Sequence, residues 1–535
     1  MTAPTADPLA TLLTVQAVLA VAAPVAGCLP SARWRAELAG PLTALLGAGS
    51  AVAGGLALAG HRLSASVAAV APALGTGVRV DALSGVFLLV IGLVATAAAI
   101  YGIGYTAPGG AHHGPSPAGS RTAWASFAVF VASLQLVAVA DTAVTFLFGW
   151  ELMAVTSALL VLTEHRGHPA VRGAALWYAG MTQLGFLAIL GCFAVLVGRA
   201  GSGDFAALHA AAGGLDPVTY AVVAALALIG FGSKAGMVPL HVWLPRAHPE
   251  APSHVSALMS GAMVKLGVYG LLRVGVQLLG LHSRYWGLVI LAAGAASALY
   301  GILMAVVATD LKRLLAYSTT ENVGLILVGV GAGQLLSGSG RDDLAAVAYV
   351  AALLHTLNHA TFKGLLFLGA GSVLRATGQR DLDALGGLVS RMPRTTALFA
   401  VGALAAAALP PGNGFVSEWL LLQALVHGQS AGGVTTALVM PAAVAVVALT
   451  AGLAVATFVK AFGTGFLARP RTPRAESAVE SPQTMRTGMG LLVAAIGVLA
   501  VAPALLAPGL DRAAAALVPG GAAAGVRGTA GGLAL

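Results

Sequence analysis

The sequence predicts an all-α polytopic membrane protein with about fourteen transmembrane helices. Three observations carry that prediction. Hydrophobic residues fill 58% of the 535 positions and charged residues only 9%, against about 25% charged in soluble domains; mean hydropathy is +0.89. Apolar windows of about 20 residues, each long enough to cross a bilayer, recur from end to end. Lysine and arginine gather in alternate loops, the pattern that orients a membrane protein.

Taken in order, the windows lie near 8–28, 41–60, 82–103, 122–140, 142–163, 172–198, 218–240, 253–280, 285–307, 315–337, 344–374, 395–427, 438–465 and 487–507. They are numbered segments 1 to 14 below. Segment 1 lacks a basic leader and a cleavage site, so a retained helix is expected and not a signal peptide. No strand is expected anywhere, hence no glycine-rich dinucleotide turn, and no room remains for a soluble catalytic domain.

With the N-terminus outside, sixteen lysines and arginines fall in the loops of one face, among them Arg35, Arg166, Lys312, Arg380, Arg394 and Arg486. Seven fall on the other, such as Arg79, Arg284 and Arg512. The richer face is therefore expected in the cytoplasm of a bacterial cell, with both termini outside the inner membrane. Topology accounts for the net charge of +9, and no nucleic-acid partner is expected. The two cysteines, Cys28 and Cys192, form no metal-ligand spacing or disulfide framework. No cofactor and no metal are expected in this chain.

Seven charges remain inside the apolar segments: Glu151, Lys234, Lys265, Arg273, Lys363, Glu418 and Lys460. Each costs roughly 2.5–3.5 kcal/mol at bilayer depth even on the lenient insertion scale. Arg273 and Lys460 are expected to snorkel to the interface; the others lie too deep and read as functional. Glu151 stands mid-segment, and Lys234 is its expected partner. Such a pair is a proton-responsive switch, because separating the two removes the field that keeps both charged.

After Lys234 the sequence runs "KAGMVPLHVWLPRAHPEAP". Pro239 removes a backbone donor there, so segment 7 should be broken, as is tolerated where backbone lines a cavity. Lys265 follows on segment 8. In segment 11 His355, His359 and Lys363 recur every four residues, on one helical face, and read as a proton wire. The two histidines are also spaced for a metal, but no carboxylate accompanies them in the segment. Pro410, Pro411, Gly412 and Gly414 should break segment 12 just before Glu418. Two interrupted segments at corresponding places point to an internal repeat, with Glu151, Lys234 and Lys265 loosely matched by Glu321, Glu418 and Lys460. Glu321 can equally be read as interfacial, beside Lys312 and Arg313.

Four stretches, "GFGSKAGMVPLHVWLPRAHPEAPSHVSALMSG", "DLKRLLAYSTTENVGLILVGVG", "HTLNHATFKGLLFLGAG" and "LPPGNGFVSEWLLLQAL", resemble the signature blocks of antiporter-like membrane subunits. These subunits occur in respiratory complex I, Mrp-type cation/proton antiporters and group 4 hydrogenases. The resemblance covers about residues 80–465, and its wording is similar above all to the large membrane subunit of hydrogenase-4 and formate hydrogenlyase. It implies two inverted five-helix repeats with discontinuous helices 7 and 12. The expected divisions are 1–121 (helices 1–3), 122–280 (helices 4–8), 281–465 (helices 9–13) and 466–535 (helix 14 and an Ala/Gly-rich tail).

The resemblance also implies roles: Glu151, Lys234, Lys265, His355, His359, Lys363 and Glu418 as the translocation residues. His241 and His254 stand beside the axis, with Pro239 and Pro411 at the helix breaks. The long C-terminal arm of some relatives is expected to be missing. The implied function is proton translocation within a redox-driven complex, alongside other membrane subunits and a peripheral redox module. An Mrp-type Na⁺/H⁺ antiporter subunit is the alternative, and a scaffold whose charges only hold helices together is a third reading.

Overall fold

The computed structural model describes residues 7–66, 76–107, 119–164, 169–280, 283–431 and 433–518. Arg166 and the tail beyond Val518 lie outside them. Thirteen helices among the described residues are long and apolar enough to span a membrane. The predicted segment 12 is the one that differs, being two half-helices, Pro393–Ala406 and Asn413–Gly428. Counting that pair as one, spans 1 to 14 are Pro8–Gly27, Ala32–Ala59, Ala82–Thr106, Arg121–Val139, Ala143–Val161, Pro169–Ala200, Pro217–Ala235, Ser253–Leu278, Arg284–Val307, Leu311–Ser337, Asp342–Thr377, the split pair, Gly433–Phe466 and Gln483–Val501.

Short polar side chains start these helices by accepting a first-turn amide, which would otherwise lack a partner. Asp81 accepts from Ser84, Thr142 from Thr145, Asp216 from Thr219 and Asp310 from Arg313. Span 7 ends where Gly236 turns left-handed, at φ 80°, a conformation that disfavours any residue with a Cβ. The chain then turns through Pro239 and resumes as a short helix, Leu244–Glu250. Span 12 breaks similarly between Ala406 and Asn413, across Pro410 and Pro411.

The loops sort into two ends. At one, Arg380 pairs with both Glu250 and Asp310, Arg35 reaches the Gly119 carbonyl, and Arg394 donates its amide to Glu480. At the other, Val78 bridges Ala140, Thr142 bridges Asp204, and Gln277 reaches Ala516. This second end corrects the expectation of no strands. Strand β1 (Leu63–Ser66) pairs antiparallel with β2 (Gly77–Val80), Leu63 opposite Val80. Outside the helices the backbone still needs partners, and Val78 and Val80 supply β-favouring residues in alternation.

Burial grades across the bundle. The most apolar windows of spans 8 and 11 are fully buried and that of span 10 is 94% buried, whereas spans 1, 13 and 14 are 22–33% buried. Leu176, Leu187, Leu438 and Val459 are exposed on the flanks, as a lipid-facing belt requires. Spans 9 and 10 approach closest where glycines meet: a Cβ on Gly324 would stand 2.3 Å from the Ala298 amide nitrogen. Small residues at such contacts let membrane helices pack without a hydrophobic drive. The titratable residues therefore lie mainly on the innermost helices.

Candidate functional site: a buried polar axis

Lys234 occupies the last turn of span 7, only 4% exposed. Its Nζ donates to the Tyr178 hydroxyl at 3.2 Å, and that hydroxyl in turn meets Ser157 Oγ at 2.6 Å. Trp150, Met181, Thr182, Gly185 and Trp243 complete the enclosure. Beyond the break, Trp243 Nε1 turns back to donate to the Ser233 carbonyl at 2.9 Å. The Val238 amide finds Ser297 Oγ on span 9 at 2.9 Å. One donor, Trp243 Nε1, and one acceptor, Ser297 Oγ, thus serve backbone groups at the break.

The expected Glu151–Lys234 pair is not formed. Glu151 Oε1 accepts from Gln183 Nε2 at 2.7 Å, and its other oxygen is buried without a partner among the described residues. Helix azimuth explains this. Gln183 lies five residues from Tyr178 on span 6, and Glu151 six from Ser157 on span 5, so each pair points to different faces. Glu151 shares its stripe with exposed Phe148, Val155 and Leu159, towards the flank of the bundle.

Lys265, fully buried on span 8, donates to the Ser260 carbonyl. That carbonyl belongs to a wide π turn, Met259–Met263, where bonding to i+5 interrupts the ordinary ladder. Ser260 Oγ meets Thr319 Oγ1 on span 10 at 2.8 Å. Span 10 then contributes Glu321, 1% exposed, which accepts from Ser318 Oγ at 2.8 Å and Asn322 Nδ2 at 2.9 Å. Glu321 is deep in the bundle, and the interfacial reading of it fails.

From Asn322 the network continues without a gap. Its Oδ1 meets His355 Nε2 at 3.2 Å, and His355 Nδ1 meets Ser417 Oγ at 2.9 Å on the second half of span 12. Asn358 Nδ2 donates to Ser417 Oγ at 2.9 Å and to the Asn413 carbonyl at 2.7 Å. Asn413 returns a bond to Asn358 Oδ1 and one to Thr361 Oγ1, both at 3.1 Å. The break in span 12 is thereby latched to span 11.

His359 stacks parallel to His355 with ring centroids 6.3 Å apart, and neither of its ring nitrogens has a partner among the described residues. Lys363 is fully buried, 3.5 Å from the Leu315 carbonyl and over the Phe458 ring. Glu418 is 8% exposed and has no hydrogen bond or ion pair among the described residues. The arrangement brings Lys265, His355, His359, Lys363 and Glu418 into one buried tract.

Several predicted positions fall elsewhere. His254 is off the axis, packed among Tyr105, Trp124 and Phe127. His241 meets Tyr300 edge-on at 4.7 Å beside the Pro239 break. Arg273 reaches the loop end of the bundle but is paired there: its guanidinium grips both oxygens of Asp81, the cap of span 3, at 2.7 Å. Burial alone would raise Asp81, but the Arg273 charge overrides it and holds this carboxyl below the usual range. Lys460 donates to the carbonyls of Val306 and Ala308, capping span 9. Lys312, assigned to a loop, is buried and donates to the Ala251 carbonyl.

Sequence reasoning missed Tyr178, Asn322, Asn358, Asn413, Ser417 and the fully buried His248, whose ring nitrogens have no partner among the described residues. The run "STTEN" (318–322) inside an apolar segment was the available signal for span 10.

A family model described as NADH:quinone oxidoreductase/Mrp antiporter, TM matches residues 140–443, the stretch holding both breaks and every group of the axis. The chain belongs to this family. Family likeness extends to named relatives. An uncharacterised protein of Mycobacterium tuberculosis is 53% identical over 446 residues, 83% of this chain and 68% of that protein. Hydrogenase-4 component B of Escherichia coli is 41% identical over 432 residues, 80% of this chain and 63% of its own length. The chain thus spans about two thirds of these relatives. Among solved structures, one in the Mrp complex from Dietzia sp. superposes with a TM-score of 0.79 at 21% identity, covering 97% of this chain and 98% of that one. The protein is an antiporter-like membrane subunit.

Proposed function

We propose that this protein is the proton-translocating membrane subunit of a redox-driven complex of the hydrogenase-4, formate hydrogenlyase or NADH–quinone oxidoreductase type. The supporting observation is the unbroken run of buried polar contacts from Glu321 through Asn322 and His355 to Ser417, beside Glu418. A buried polar network in an apolar bundle is costly to build, and a proton path is what it serves. The 41% identity to hydrogenase-4 component B supports the redox-driven class. Other membrane subunits and a peripheral redox module would supply the drive. The arginine-rich end faces the cytoplasm of a bacterial cell, and both termini face outside.

In this reading Lys234 and Glu151 act as the switch. The present arrangement is its open state, with Lys234 on Tyr178 and Glu151 on Gln183. Closing it needs the two side chains to exchange neutral partners for one another. Protons then pass by Lys265, His355, His359 and Lys363 to Glu418, with His241 beside the first break. The breaks at Pro239 and Pro411 let backbone and side chains face the path.

Inverted vesicles carrying the whole complex test this. Substrate-driven acidification should vanish in Lys234→Ala and be indifferent to sodium in the wild type. Acidification that requires sodium would assign the chain to Na⁺/H⁺ exchange, and acidification that survives the substitution would remove Lys234 from the path.

A further inference from the structure

At the arginine-rich end, the first half of span 12 and the start of span 14 flank a cavity of about 390 Å³ lined by Arg394, Ala397, Leu398, Gln483, Arg486 and Thr487. Its two arginines are under-used. Arg486 gives one Nη to Gln483 Oε1 at 2.8 Å, while its Nε is buried without a partner among the described residues. The Arg394 guanidinium makes no bond among the described residues. The nearby carboxylate does not neutralise them: Glu480 spends its oxygens on the amides of Arg394, Thr395 and Ser481 and on the Thr395 hydroxyl. Two helices also begin here, at Pro393 and Gln483, and their N-terminal dipoles add to the positive potential.

The rest of the lining fits something other than a bare ion. Ala397 and Leu398 lie one turn into span 12 and offer apolar surface. Span 14 beside them is only 33% buried in its apolar window, so the groove opens on the flank where lipid lies. We propose that this groove binds an anionic phospholipid. The phosphate oxygens take the guanidinium forks of Arg394 and Arg486, which match such an anion bidentately. The glycerol and first acyl carbons run along Ala397 and Leu398. This site lies outside the proton path and does not depend on that assignment.

The complex would be purified in mild detergent from membranes containing phosphatidylglycerol, and retained lipid read by native mass spectrometry. Wild type should keep a phosphatidylglycerol that Arg394→Gln/Arg486→Gln holds about thirtyfold less tightly, from about 1 kcal/mol per arginine. Equal retention overturns the proposal. A second arm gives delipidated wild type either inorganic phosphate or phosphatidylglycerol nanodiscs and reads the thermal midpoint. Stabilisation by the lipid and not by phosphate is expected; equal stabilisation makes it a simple anion site, and none overturns the assignment. If the double variant fails to accumulate, Arg486→Lys replaces it, keeping the charge but losing the fork. It should retain less lipid than wild type, and wild-type retention would again overturn the proposal.

Discussion

The two broken spans use the same backbone device to opposite ends. At span 7 the cation precedes the break, and Lys234 sits in an aromatic cage with one neutral hydroxyl for company. At span 12 the carboxylate follows the break, and the half-helix that bears it is tied by Asn413, Asn358 and Ser417 to a network reaching Glu321. The first site is isolated and so free to change partners. The second is latched, and in the proposed reading its fixed contacts are what a proton passes along on the way to Glu418. A break in a membrane helix thus has no function of its own; the side chains that answer its freed groups decide it.

Four experiments would break or sharpen that contrast. The largest effect is expected from Glu418→Gln. The chain should insert normally, since the side chain has no bond to lose, while substrate-driven acidification of vesicles disappears. Retained pumping would end the role given to the span 12 site. Next, Asn413→Ala removes the two side-chain bonds of the latch, keeps the one to its backbone carbonyl, and leaves Asn358 Oδ1 without its donor, at about 1–3 kcal/mol, read as a fall in thermal midpoint.

Trp243→Phe should cost less, about 0.5–1.5 kcal/mol for the bond to Ser233, because it removes a single bond and leaves the Val238–Ser297 contact in place. A larger loss there than in Asn413→Ala would reverse the comparison. The smallest effect concerns pH. Burial would raise Glu480, but bonds from Thr395, Ser481 and Arg394 outweigh it and hold the group below its usual range. A depressed folded value means the cap on span 12 is at full strength above the ordinary glutamate value of about 4.3 and is lost as pH falls below it. The thermal midpoint should therefore drop between about pH 5 and 3 in wild type, and more shallowly in Glu480→Gln.

Much of the fold was legible because hydropathy reports depth directly. All fourteen segments and both breaks follow from apolar length, glycine and proline. What depth cannot report is azimuth. Glu151 and Lys234 were matched as two charges at similar depth, yet their helices turn them to different neighbours. Arg273 lay within reach of the interface, and nothing local said that Asp81, 192 residues away, would hold it. The uncharged links escaped for another reason. Asn322, Asn358 and Ser417 cost too little individually to stand out in an apolar segment, although without them the charged groups would not connect. The strand pair β1–β2 was missed because four residues in a loop carry little periodic signal.

Span 8 holds two wide turns, Met259–Met263 and Leu271–Leu278. Each wide turn accommodates about one residue more than an α turn of 3.6. In the language of sequence history, such a turn is an insertion that the helix absorbed without growing a loop. Everything after it is rotated by about 100° from where an unbroken α-helix would place it. The inward aim of Lys265 thus rests on a counting irregularity upstream, and losing any single residue between 259 and 263 would turn the lysine to another face while leaving its depth almost unchanged.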